Sequence, residues 1–380
     1  MKKSISLHCE ISLNENKWVW KIFHRRGSGN ASVSRLLPFP QQISPAEALF
    51  SIQQGKLLNR TDYARFGASL YRNIIPREFA ALLNQATGGD CLFVVPPQWA
   101  IVPFELLYDN NGFWGDRFIL GTVILLPETN FEQIQKNNSP LTFGIIADPA
   151  NDLPEAYEEG VSIRNFLRSH KQNVRMISSG LPEKISEILS GNSVVHFAGH
   201  SEFSESSGRF GWKLKNGELF DLTGKDKKNL WNPPSLVFSN SCEAACTSKE
   251  LAGVAGTFMQ SGVAQIVGPF TRVADKEAQQ CAAVFYEKFL QSMHPAQALL
   301  LMKKICSDSA ASLVYRLFGD PCWTFSKPVL SDVEPGHNVT IKRKKTKPVL
   351  LITAIIIFLL LVLLFIPFPG GDGIQYIHPK

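Results

Sequence analysis

VVHFAGHS at residues 194–201 and SLVFSNSC at residues 235–242 share one design. Each carries a run of apolar residues, Val194–Val195 with Phe197 in the first and Leu236–Phe238 in the second, and closes on small and polar ones, with His200 near the end of the first and Cys242 at the end of the second. A short, continuously apolar run reads as a strand covered on both faces, the kind found in parallel sheets. Working outward, LTFGIIADP at 141–149 is another strand running into a loop. Apolar periodicity predicts a helix from about Glu155 to Ser169, a strand at Val174–Ile177, a helix at Pro182–Leu189 and a strand at Ser193–Ala198. Past the strand at Ser235–Ser239 come a helix at Lys249–Ser261, a strand at Ala264–Phe270 and helices at Lys276–Gln291 and Pro295–Ser307. Strand and helix alternating in this way argue for an α/β fold, a mostly parallel sheet with helices on both faces.

Between the two deciding strands, Asn216-Gly217 within WKLKNGELFDL is a strong short hairpin signal and predicts a small β-ribbon. Upstream, alternation from Ser4 to His24 on either side of Asn14-Glu15-Asn16 predicts an N-terminal hairpin, the start of a β-rich element over residues 1–60. Helical spacing from Pro45 to Ala86 is expected to end at Gly88-Gly89, ahead of a strand at Cys91–Val95. The expected organisation is therefore 1–60 β-rich, 61–140 an N-terminal half, and 141–327 the α/β half. Beyond these lie a basic linker at 328–347, a membrane helix at 348–368 and a short tail at 369–380.

The last two assignments rest on VLLITAIIIFLLLVLLFIPF, Val349–Phe368, which is uncharged throughout. About 20 such residues cross the roughly 30 Å hydrocarbon core as a helix. The preceding run Lys342, Arg343, Lys344, Lys345, Thr346, Lys347 predicts a single-pass anchor in the cell membrane with the larger N-terminal part cytoplasmic. That run holds five of the chain's net +6 charges, leaving about one for everything else, so no basic face points to nucleic acid. Seven scattered cysteines and an N-terminus without a continuous apolar stretch read as free thiols in a reducing compartment.

Working residues gather at the carboxyl ends of strands in open α/β sheets, and His200 and Cys242 stand at two such ends. A cysteine where a strand gives way to a helix meets the positive end of the helix dipole, which favours thiolate. A histidine beside it can take and return a proton during acyl transfer. A zinc site from His196, His200, Cys242 and Cys246 is the rival, but strand positions four apart lie about 13 Å from one another, too far to share one metal.

The motifs HFAGHS, SNSCEAAC, ELAGVAGTFMQSGVAQIVGPFTRVADKEAQQCAAVFYEKFL, AQALL and LFGDP resemble, in that order, the CHAT peptidase family, caspase-like relatives of separase, clostripain and gingipain. IVPFELLYDNNGFWGDRF at 101–118 and ADPANDLPEAYEEG at 147–160 resemble that family's upstream segments, so the likeness runs over roughly residues 60–326. The resemblance implies a caspase-like fold and a cysteine endopeptidase with His200 as general base and Cys242 as nucleophile. It implies an oxyanion hole from the backbone N–H groups of Ser201 and Cys242; relatives often carry Gly where Ser201 stands. Arg/Lys-cleaving relatives place a carboxylate in the primary pocket, and Asp148, Glu243 and Asp275, with Asn240 beside the cysteine, are the candidates here. Asp148 and Asp275 read equally well as caps where a loop meets a helix. No metal or cofactor is implied. The partners implied are a protein substrate, an activating protein and the membrane, in a bacterial signalling or defence role. A catalytically silent scaffold with the same fold is the alternative.

Overall fold

A computed structural model describes residues 3–14, 17–24, 35–39, 59–84, 86–125, 141–204, 209–220, 232–241 and 253–326, all within one unit, Met1–Pro328. The uncharged run at 349–368 lies outside them, and among the described residues no helix is long and apolar enough to cross a membrane.

The α/β half builds as its periodicity predicts. β8 (Thr142–Ala147) leads through α4 (Pro154–Ser169) to β9 (Asn173–Ile177), then through α5 (Pro182–Gly191) to β10 (Val194–Ala198). β14 (Leu236–Asn240), α6 (Gly253–Gln260), β15 (Gln265–Pro269), α7 (Asp275–Ser292) and α8 (Pro295–Ile305) follow. β9, β8, β10, β14 and β15 lie side by side and parallel, and β8, β10, β14 and β15 are buried along their whole length apart from the first residue of β8. That burial on both faces explains why their sequences run apolar instead of alternating.

Register assigns the helices to faces. Phe143, Ile145 and Ala147 point one way from β8, together with their partners His196 and Phe238, because side chains alternate along a strand. The α7 aromatics Tyr286 and Phe289 meet Phe143 on that face, where Gly160 of α4 also lies against Ala147 and Ile145. Gly144 points the other way, toward Ile188 of α5. Phe197 shares that second face and stacks at 4.0 Å on Trp212, which touches Phe258 of α6. Helices therefore cover both faces, as expected.

Trp212 comes from the expected ribbon, β11 (Ser201–Ser204), β12 (Arg209–Lys213) and β13 (Leu219–Phe220). Asn216 and Gly217 both take positive φ, 65° and 77°, as a primed hairpin turn demands.

The N-terminal half extends the same sheet. β1 (Lys3–Asn14) and β2 (Lys17–His24) form the expected antiparallel hairpin, with β3 (Arg35–Phe39) beside β2. β1 also runs parallel to β4 (Ala86–Val95), and β4 to β7 (Phe118–Ile124), so these strands join the α/β half in one sheet of eleven among the described residues. The helical spacing resolves into α1 (Arg60–Ile74) and α2 (Arg77–Asn84). Gly88-Gly89 do not end a helix; they lie inside β4. Gly89 takes φ +137°, and a Cβ there would fall 1.7 Å from the carbonyl oxygen of Ile5, so glycine is what lets β1 close onto this strand.

One joining strand escapes the periodicity altogether. β16 (Tyr315–Phe318) runs antiparallel to β15 and meets β7 on its other edge. Its Arg316 is buried and donates from Nη1 to the carbonyl of Ala100 and from Nη2 to that of Val102, tying the sheet to the end of the short helix α3 (Pro97–Ala100) and the residues just after it.

Candidate active site

The chain leaves β8 for β9 on one side, then returns to β10 on the other, so the sheet order reverses between β8 and β10. Ligands bind at such switch points, outside the carboxyl ends of the strands. A small cleft of about 40 Å³ opens there. Its walls include Gly199 and His200 after β10, Asn240 and Ser241 at the end of β14, and the N-terminal ends of α4 and α7, which bring Glu155, Glu159 and Asp275.

His200 is placed by the strand pairing and by the ribbon. Its carbonyl accepts the Lys213 N–H at 2.9 Å, which fixes the turn from β10 into β11. Its imidazole is 37% exposed, with Nε2 3.7 Å from Oδ1 of Asp152. The other oxygen of Asp152 lies 3.1 Å from Nζ of Lys213, which is also 3.2 Å from Glu202. The bonds to Asp152 and then Glu202 hold the Lys213 ammonium above its ordinary pKa. Asp152 thus stands between an imidazole and an ammonium.

The expected site residues divide. Asp275 lines the cleft as the first residue of α7, where a carboxylate also complements the helix dipole. Asn240 lines it too, with both amide atoms engaged. Nδ2 donates to Glu159 at 2.8 Å, and Oδ1 accepts the Tyr315 hydroxyl. Those two bonds fix its orientation and leave one N–H and one oxygen lone pair over. Asp148 does not line the cleft: it is buried, with φ 49°, and its Oδ1 accepts the N–H groups of Asp152 and Leu153, holding the loop that leads into α4. Ser201 opens β11 opposite Trp212. Cys242, Glu243 and Cys246 lie outside the described residues, and Ser241, which lines the cleft, is the residue directly before Cys242. Register pairs Ala198 with Asn240, and counting along the chain His200 and Cys242 are each the second residue beyond that pair.

Glu159, Glu155 and Asp152 were not singled out by the sequence. Only Glu159 carried a readable signal. The buried positions of α4 are Ala156, Glu159, Gly160, Ile163 and Leu167, a helical stripe in which an acid stands where an apolar residue belongs. Its Oε1 also lies 2.8 Å from Nε2 of the buried His196.

With this geometry in place, the comparison with known families is specific. The sequence matches the CHAT domain over residues 64–307, well over half of the chain. The protein belongs to the CHAT domain family. The match begins inside α1 and ends just past α8, so it takes in every residue described around the cleft. No curated protein matches this CHAT chain in sequence. Among solved structures it is similar to a chain of the Saccharomyces cerevisiae separase–securin complex, with a TM-score of 0.54, 12% identity and 82% of this chain covered. A second structure of that complex gives a TM-score of 0.50 at the same identity and coverage. The CHAT chain spans 30% of the length of either, and at 12% identity the likeness is one of fold: a caspase-like α/β sheet.

Proposed function

We propose that this CHAT protein is a cysteine endopeptidase with Cys242 as nucleophile and His200 as general base, acting on a protein substrate. The observation that carries the reading is the cleft at the switch point, walled by His200 on one strand end and by Ser241, the residue before Cys242, on the next. A caspase-like sheet within the CHAT family agrees with it.

In this reaction His200 accepts the Cys242 thiol proton as the sulfur adds to the carbonyl carbon of the scissile peptide. The oxyanion of the tetrahedral intermediate falls to the backbone N–H groups of Ser201 and Cys242, a pre-placed pair that needs no reorganisation. His200 then gives the proton to the departing amine, leaving a thioester. It removes a proton from water, and hydroxide adds to the thioester carbon. Collapse releases the new carboxyl end, and Cys242 recovers its proton. Asp152, near Nε2, orients the imidazole as the third member of such a constellation. Glu155 and Asp275 on the cleft wall favour a basic residue beside the scissile bond, with Asp275 the better placed of the carboxylates named from sequence. Glu243 remains a candidate outside the described residues.

The run at 349–368 and the basic residues before it make the protein a single-pass membrane protein with this site on the cytoplasmic side. Protection of the His200 region from added protease in sealed vesicles whose cytoplasmic face is outward would refute that orientation.

The deciding experiment incubates the full-length protein with a peptide library and, separately, with an activity-based thiol probe. Cys242→Ala and His200→Ala should each abolish cleavage, and the double variant should lose no more than either, since the two act as a unit. The probe should mark Cys242 well ahead of the other cysteines. Cleavage that persists in Cys242→Ala, with equal labelling of all exposed thiols, refutes the peptidase and leaves a scaffold.

A further inference from the structure

Polar side chains buried in a strand cost stability unless each finds a partner. Ser239, Asn240 and Ser241 bury three in a row at the end of β14, immediately before Cys242. All three are held. On the face of α4 and α7, Asn240 donates to Glu159 and accepts from Tyr315. On the opposite face, Ser239 Oγ accepts from Trp212 Nε1 at 3.1 Å and lies 3.0 Å from Ser241 Oγ. The backbone that enters Cys242 is therefore gripped from both sides of the sheet.

Glu159 is the hub of one grip. It is only 4% exposed, and its Oε1 sits 2.8 Å from Asn240 Nδ2 and 2.8 Å from His196 Nε2. His196 belongs to β10, four residues before His200. One carboxylate thus joins the strand that leads to the base, the strand that leads to the nucleophile, and the helix whose first turn walls the cleft. Burying an acid and an imidazole here is not what stability alone selects, because an apolar pair of similar volume is commonly as stable or more so. No proton transfer of the proposed reaction passes through Glu159, His196, Asn240 or Tyr315.

We propose that Glu159 is a positioning residue: it sets the spacing of the β10 and β14 ends and, through Asn240, the approach of Cys242 to His200. The proposal rests on the peptidase reading. Positioning has a large effect on chemistry, a misplacement of about 1 Å costing up to roughly a hundredfold.

Alkylation by iodoacetamide, followed cysteine by cysteine in the full-length protein by peptide mass spectrometry, tests it without a known substrate. The exposed Cys322 serves as the internal reference. Glu159→Leu should slow labelling of Cys242 relative to Cys322 by about tenfold or more, whereas Glu159→Gln, which keeps an oxygen for Asn240, should restore it to within about threefold. Tyr315→Phe removes one hydroxyl at the far side of Asn240 and should slow Cys242 by about threefold; it decides the matter if Glu159→Leu fails to fold. A fast wild type beside folded Glu159→Leu or Tyr315→Phe variants that label equally fast overturns the positioning role alone. Slow, unselective labelling of Cys242 in the wild type overturns the peptidase reading and the positioning role with it.

Discussion

Lys303 offers a direct measurement of how the two halves of the sheet are joined. It projects from α8 into the core, 1% exposed, with Nζ 3.5 Å from the carbonyl of Leu313. Around it are the buried Glu105 and Arg316, the latter with Nε 3.7 Å from Glu105 Oε2. Burial pushes the Lys303 ammonium down from 10.5 to about 8, against the attraction of Glu105 and Asp116. Below pH 8 both folded and unfolded chains carry the proton, and the folded one bears a cost of about 3 kcal/mol for keeping it, at 1.36 kcal/mol per unit. Between about 8 and 10.5 the unfolded chain binds more protons than the folded one, so stability rises with pH. Lys303→Met removes this dependence. Urea denaturation of the full-length wild type and variant in the same detergent, at pH 7 and pH 9.5, isolates it. The wild type should gain about 2 kcal/mol on the variant over that interval, from the titration of a site at 8 against one at 10.5. A difference between the two proteins that stays flat with pH would refute a buried, ionised Lys303.

If Asp152 orients His200 as proposed, Asp152→Asn should slow Cys242 alkylation by about three- to tenfold while leaving thermal stability near that of the wild type, since Asp152 is 40% exposed. Gly160→Ala places a Cβ 2.5 Å from that of Ala147, which lifts α4 from β8; the overpacking cost of about 1–3 kcal/mol outweighs the roughly 1 kcal/mol gained in helix propensity, and a lower thermal midpoint checks it. Trp212→Phe keeps a ring over Phe197 but loses the bond to Ser239, and should destabilise by about 2 kcal/mol by urea denaturation while also slowing Cys242 labelling.

The strands and helices from β8 to α8 were legible because each carries its own evidence: an apolar run for a strand buried on both faces, a 3.6-residue stripe for a helix, Asn216-Gly217 for the ribbon turn. What the sequence hides is set by distant partners. Tyr315–Phe318 is only four residues and includes an arginine, so nothing local marks it as the strand that links β15 to β7. The arginine is admissible there because distant groups receive it, among them the carbonyls of Ala100 and Val102, more than two hundred residues away, and the carboxylate of Glu105. Gly88-Gly89 read as a stop because their true reason, the passing carbonyl of Ile5, belongs to another strand.

The site divides along the same line. His200 could be read because strand ends can be counted along the chain, and these are where cleft walls form, whereas Asn240 and Asp275, which also line the cleft, came from the family resemblance. Asp152 could not be found that way, since its place beside His200 depends on Asp148 capping the loop and on Lys213 arriving from the ribbon. Glu159 was within reach. An acid in the apolar stripe of α4 and a Ser-Asn-Ser run closing an apolar strand are the same anomaly seen from two elements. Each is costly unless the other answers it, and Glu159 and Asn240 do answer each other across 2.8 Å. Matching one buried polar position against another would have placed α4 against the end of β14 from sequence alone, and with it the wall of the cleft.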